Sequence, residues 1–125
     1  MTERLEGTKL TGFDPKPAIT ELEIIDLTAG SGDEVKPGAT ITAHYTGALV
    51  ADGTIFQSSK DSGRPATFGL NQVIAGWTKG VPGMKVGGIR RLIIPAVSAY
   101  GSSSPAANIP ANSDLVFDIE LVAIV

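Results

Sequence analysis

Fifteen glycines and eight prolines interrupt this 125-residue chain so often that a long helix has little room, and the chain must turn back on itself repeatedly. Between the interruptions the sequence alternates. From Ala39 to Val50 it is rich in β-branched residues, with Ile41, Ala43 and Tyr45 on one strand face and Thr42, His44 and Thr46 on the other. The clearest strand is the last: Leu115, Phe117, Ile119 and Leu121 share one face, Asp118 and Glu120 the other. Residues 22–27, 54–57, 67–70 and 87–94 supply further short strands, the last stopped by Pro95. Gly30-Ser31-Gly32-Asp33, Pro37-Gly38 and Asp52-Gly53 mark turns, and residues 58–65 and 97–112 read as loops. Only one segment suits a helix; it starts near Val73 and stops at Gly80 or Gly83, both suited to a left-handed terminus. The expected fold is α+β, an antiparallel sheet of five to six strands wrapped over one short helix.

Several function classes are excluded by composition. A formal charge of −3 and a pI near 5.0 leave no basic stripe for a phosphate backbone, so no nucleic-acid partner is expected. The chain has no cysteine and one histidine, His44, which removes disulfides, thiolate sites and histidine-based metal clusters. Neither metal nor cofactor is expected. No apolar run approaches the ~20 residues of a membrane span, and Met1-Thr2-Glu3-Arg4-Leu5-Glu6 does not read as a signal peptide. The expectation is a soluble monomer suited to a reducing cytoplasm, with export of a mature domain also compatible. Arg90-Arg91 is the one adjacent basic pair, read as one solvated and one snorkelling side chain. Residues 1–18 form a polar tail or arm whose large apolar side chains are Leu5, Leu10 and Phe13, with Asp14-Pro15-Lys16-Pro17 extended; residues 19–125 form the folded domain.

Functional information concentrates in Val73-Ile74-Ala75-Gly76-Trp77-Thr78-Lys79-Gly80-Val81-Pro82-Gly83, which holds the only tryptophan in a run too glycine-rich for an ordinary core helix. A lone Trp is ordinarily a large core residue. Here it has company: His44-Tyr45-Thr46-Gly47 and Phe56 upstream, Ala99-Tyr100-Gly101 and Leu115-Val116-Phe117-Asp118 downstream. In this order, over residues 21–125, the segments resemble the FKBP-type peptidyl-prolyl isomerases, a family that binds the macrolides tacrolimus and rapamycin. The resemblance implies a half-open β-barrel around a central helix, proline-containing polypeptides as substrates, and macrolides as possible ligands. It places Tyr45, Phe56, Trp77, Tyr100 and Phe117 around a proline pocket, with Trp77 as floor and Tyr100 donating to a ligand carbonyl. Val73, Ile74 and Ile109 match its aliphatic wall, the Ile74 N–H a second donor, and Gln57 a side-chain contact. Phe68 fits as a support behind the pocket, and Phe13 belongs to the tail.

An aromatic set suits that reaction. Rotating an Xaa–Pro bond costs amide resonance, a barrier of roughly 18–20 kcal/mol, and no heavy-atom bond is broken. Nucleophile, metal and cofactor are all dispensable. A dry apolar cradle favours the twisted amide, whose charge separation is reduced, over the planar ground state. Rival chemistries lack their parts: His44 lies on the strand face opposite the pocket and reads as structural, while Glu21, Glu23, Asp118 and Glu120 read as solvated.

The match has departures. Gln57 stands where the family usually has an aspartate, so a charge-assisted bond to a macrolide hydroxyl is lost. Ala66 replaces a frequent aromatic and makes the rim shallower, Ser98 replaces a frequent tyrosine, and the loop 102–108 is small and polar. Only seven residues separate Gly101 from Ile109, too few for the domain inserted there in chaperone-type members, so neither strong holdase action nor metal storage is expected. Gln57 and the plain loop also suit a non-catalytic module that holds a proline segment, although such a module would be expected to shed pocket aromatics that this chain keeps.

Overall fold

A computed structural model of the chain describes residues 5, 7–10, 12–15, 19–102 and 109–125. The sequence readings for Lys16, Pro17 and most of the 102–108 loop lie outside the described residues. Six strands form: β1 (Glu23–Thr28), β2 (Thr40–Leu49), β3 (Ile55–Ser58), β4 (Ala66–Gly69), β5 (Ile89–Ile94) and β6 (Leu115–Ile124). Among the described residues one α-helix, α1 (Ala75–Gly80), falls between β4 and β5. Neighbouring strands are antiparallel in the order β1-β5-β6-β2-β3, and β4 pairs separately with β2. One edge of β2 is therefore shared: β4 takes Thr40 to Ala43, and β3 takes Thr46 to Ala48.

The alternation seen in sequence gives the sheet its inner face. Ile41, Ala43, Leu92, Ile94, Leu115, Phe117, Ile119 and Leu121 are buried there with Trp77, Val81 and Leu70. At six residues, α1 is too short to be stable alone, so packing must hold it. A Cβ on Gly76 would come within 2.5 Å of Ile94, and one on Gly80 within 2.7 Å of Leu92. These glycines let the helix backbone lie directly on β5. Gly80 thus serves packing inside the helix, whereas Gly83, at φ 98°, makes the left-handed turn after it. The helix starts later than expected because Ile74 is extended, at φ −58° and ψ 150°.

The outer face carries a second cluster of Ala48, Val50, Ile55, Ile93 and Val116. Leu92-Ile93-Ile94 is uninterruptedly apolar because both faces are buried there. Leu10 joins this cluster and Leu5, Phe13 and Ile19 pack against it. The backbone of this N-terminal segment also bonds to the turn after β2 and to the start of β3: Gly7 N–H donates to Ile55 O (2.7 Å), Ile55 N–H to Thr8 O (2.8 Å) and Leu10 N–H to Gly53 O (2.8 Å).

The arginine pair departs from expectation, since both side chains are buried. Arg90 donates through Nε to Asp26 Oδ1 (2.7 Å) and through Nη1 to Gly80 O (2.8 Å) and Pro82 O (3.2 Å), closing the carbonyl end of α1. Arg91 donates to both Asp118 oxygens (2.7 and 2.9 Å) and to Gly12 O (2.8 Å), with its guanidinium 5.7 Å from the Phe13 ring centre. The bond to Asp118 raises the Arg91 pKa against the opposing effect of burial. Asp118 is consequently not a solvated residue; it faces a buried cation, and the outward face of β6 is covered at that point. Glu120 remains half-exposed, 3.8 Å from Lys60 Nζ. No helix among the described residues is long and apolar enough to cross a membrane.

Arg90→Ala should lower stability by about 2–3 kcal/mol, because it strands the Gly80 carbonyl in a buried setting. Urea unfolding followed by Trp77 fluorescence measures this. An unchanged midpoint would show that the guanidinium does not hold the helix end.

Candidate functional site

On the inner face, between α1 and the ends of the strands, lies a cavity of about 510 Å³ lined by Tyr45, Phe56, Gln57, Phe68, Gln72, Val73, Ile74, Trp77, Tyr100 and Phe117. That volume is in the range of small-molecule sites. Each contributor arrives from a separate segment: Tyr45 from β2, Phe56 and Gln57 from β3, Phe68 from β4, Trp77 from α1, Tyr100 from the turn after β5, and Phe117 from β6. Among these lining residues none is ionised at neutral pH.

The rings are arranged edge to face. Trp77, 4% exposed, is ringed by Phe68 (5.0 Å, 68°), Phe117 (5.3 Å, 85°) and Tyr45 (5.8 Å, 75°). Phe56 meets Phe117 at 5.7 Å and 88°. Such pairs each add roughly 0.5–1.5 kcal/mol beyond their buried area and fix ring orientation. Room for this last pair comes from Gly47, where a Cβ would stand 2.6 Å from Phe56 and 2.7 Å from Phe117. The indole Nε1 is buried with no conventional acceptor, surrounded instead by ring systems, which accept N–H weakly. The floor therefore presents neither charge nor free acceptor.

Polar groups stand at the walls. Burial, and then the neighbouring Tyr100, push the Tyr45 phenol above its ordinary range, so it stays a neutral donor throughout physiological pH. Tyr100 is 38% exposed, at the mouth. No acceptor for the Ile74 N–H occurs among the described residues; as the residue capping α1 it leaves this donor open at the cavity wall. Gln57 is exposed on the rim.

Eight of the nine residues singled out from sequence line the cavity. The ninth, Ile109, is buried in the core cluster with Trp77 and Phe117, both of which line the cavity. Phe68, expected behind the pocket, lines it directly, because the β4 register with β2 places it opposite Ile41 on the inner face. Gln72 also lines it and carried no signal, being a polar residue in an irregular connection. His44 does point away, toward Ser59, with Nδ1 2.9 Å from its Oγ.

The family model described as FKBP-type peptidyl-prolyl cis-trans isomerase matches residues 32–122. The chain is 55% identical over 95 residues to the FKBP-type peptidyl-prolyl cis-trans isomerase FkpA of Aeromonas hydrophila, a match covering 74% of this chain and 35% of that protein. A probable FK506-binding protein of Corynebacterium glutamicum is 43% identical over 107 residues, covering 86% of this chain and 90% of its own length. Among solved structures, a peptidyl-prolyl cis-trans isomerase from Pseudomonas syringae pv. tomato superposes with a TM-score of 0.75 at 35% identity, over 87% of this chain and 79% of that one.

Gly47→Ala should push the Phe56 and Phe117 rings apart and cost about 1–3 kcal/mol. Thermal unfolding and near-ultraviolet circular dichroism report the two effects; a variant with native aromatic dichroism would show that the rings do not depend on this glycine.

Proposed function

The chain belongs to the FKBP-type peptidyl-prolyl cis-trans isomerases, and we propose that the aromatic cavity is the surface on which it turns Xaa–Pro bonds. One observation carries this assignment: six rings from separate segments enclose a cavity whose lining holds no ionised side chain. Amide rotation needs such a place. The planar amide is polar and well solvated in water; the twisted one is less so, and a dry apolar wall favours it. The proline ring sits on Trp77 between Phe56, Phe117 and Tyr45. The Ile74 N–H and the Tyr100 hydroxyl hold carbonyls on either side of the bond, so that rotation occurs within a clamped chain. Val73 and Ile74 complete the apolar wall, Gln57 and Gln72 give neutral hydrogen bonds at the rim, and Ile109 supports the floor from within the core.

Proline-containing polypeptides are the substrates of this reading, with residues 19–125 as the working domain and residues 1–18 as an arm upon it. A macrolide of the tacrolimus or rapamycin type would occupy the same cavity, with Gln57 offering an uncharged partner to a ligand hydroxyl.

Cis/trans exchange of a Leu-Pro peptide, followed by NMR without a coupling protease, tests the assignment. Exchange should accelerate and be suppressed by excess rapamycin. Tyr100→Phe removes one neutral hydrogen bond, worth roughly 0.5–1.5 kcal/mol, and should lower kcat/KM about two- to tenfold while sparing the fold. Trp77→Ala opens the floor and should cost more. Unchanged turnover in both variants would place the activity elsewhere, and absence of catalysis by the folded protein would favour a holding module.

A further inference from the structure

The shared edge of β2 has a gap. β4 pairs with it as far as Ala43 and β3 resumes only at Thr46, which leaves His44 and Tyr45 without a strand neighbour on that side. Backbone groups inside a sheet need partners, and Tyr45 finds its partner in a side chain. Ser59 Oγ accepts from the Tyr45 N–H at 2.8 Å and stands 3.3 Å from the Tyr45 carbonyl oxygen and 2.9 Å from His44 Nδ1. Its one hydrogen goes to His44 or to the Tyr45 carbonyl, and the Tyr45 N–H is satisfied in either case. Ser59 is 6% exposed, so water does not compete readily for this role.

Ser59 is itself held from two directions. It opens the 3-10 turn Ser59–Asp61, which is closed by Ser62 N–H and Oγ donating to Ser59 O (3.2 and 2.8 Å) and by Lys60 N–H donating to Ser58 Oγ (3.2 Å). At the far end of the turn, Asp61 Oδ1 accepts from the backbone N–H of Leu5 at 2.7 Å. The N-terminal arm thus reaches the turn that fixes Tyr45, and Tyr45 lines the cavity.

We propose that Ser59 is a positioning residue for Tyr45, its hydroxyl standing in for the missing strand, and that the arm, through Leu5 and Asp61, holds that hydroxyl in place. The proposal rests on the isomerase reading of the cavity. It makes the arm a support of the pocket, where the sequence shows only a polar leader.

The test is a pair of double-mutant cycles on the full-length chain. Ser59→Ala should lower kcat for the Leu-Pro peptide roughly five- to tenfold with KM little changed, as expected for a misplaced contact group, and Asp61→Ala about two- to threefold in the same sense. In a Tyr45→Leu background both effects should shrink to less than about twofold, because a ring already removed cannot be misplaced further. Additive losses, or an unchanged kcat in Ser59→Ala, would overturn the proposal; if Ser59→Ala fails to fold, the Asp61→Ala cycle decides. Amide exchange of Tyr45, read by NMR on the same samples, is independent of turnover. A protection factor reduced at least about tenfold at Tyr45 and not along β6 is expected, and unchanged protection overturns the proposal even if the isomerase reading itself had failed for want of catalysis.

Discussion

Everything in this molecule depends on how closely a six-residue helix approaches the sheet beneath it. Gly76 and Gly80 bring the backbone of α1 against Ile94 and Leu92, where any side chain would collide. With the helix that low, Trp77 packs in the core against Phe68 and Phe117 and also lines the cavity. Arg90 then fixes the other end by bonding the Gly80 and Pro82 carbonyls while holding Asp26 on the edge strand. A helix too short to persist alone is thus stabilised by its two glycine contacts and one buried cation.

The rings above the floor follow from the same geometry. Phe56 and Phe117 meet nearly perpendicular over Gly47, and Phe68 and Tyr45 each stand steeply inclined to the indole. Edge-to-face contacts resist collapse better than flexible aliphatic chains, because each ring has few rotamers and several fixed neighbours. The cavity consequently persists as open space where a core of Leu and Ile would close. Its largely apolar lining and its shape share one origin, in rings that support each other from separate segments.

Sequence reasoning reached much of this. The strand alternation in 39–50 and 115–121 was legible because one sheet face there is apolar throughout, and the helix segment because glycine and proline bounded it. Eight of the nine residues that the family resemblance picked out line the cavity, five of them aromatic. Ile109 packs in the core cluster with Trp77 and Phe117, and an isolated aliphatic residue beside a loop carries no periodicity to say which way it faces. Phe68 was underestimated because its direction depends on a register with β2 that local sequence does not encode. The arginine pair and Asp118 looked like surface charge, since nothing local reveals that Leu5, Leu10 and Phe13 return to cover the outer face. Leu5, Leu10 and Phe13 were visible as the only large apolar residues of the tail; their target, a second apolar cluster on the opposite sheet face, is a long-range fact.

A neutral lining also decides what kind of discrimination the cavity can make. With Gln57 and Gln72 as its side-chain amides and Tyr45 held protonated by burial, selectivity must come from shape and from amide hydrogen bonds. Hydrogen bonds between neutral groups are about half as strong as those involving an ion, and they are little screened by salt. They also carry less penalty when left unmade at an exposed rim than a carboxylate stripped of water would. A ligand here gives up little solvation beyond that of its own amides, which is the situation a twisting peptide bond requires. Gln57 at the exposed rim thus gives the cavity a neutral partner, with no carboxylate to strip of water when a ligand enters.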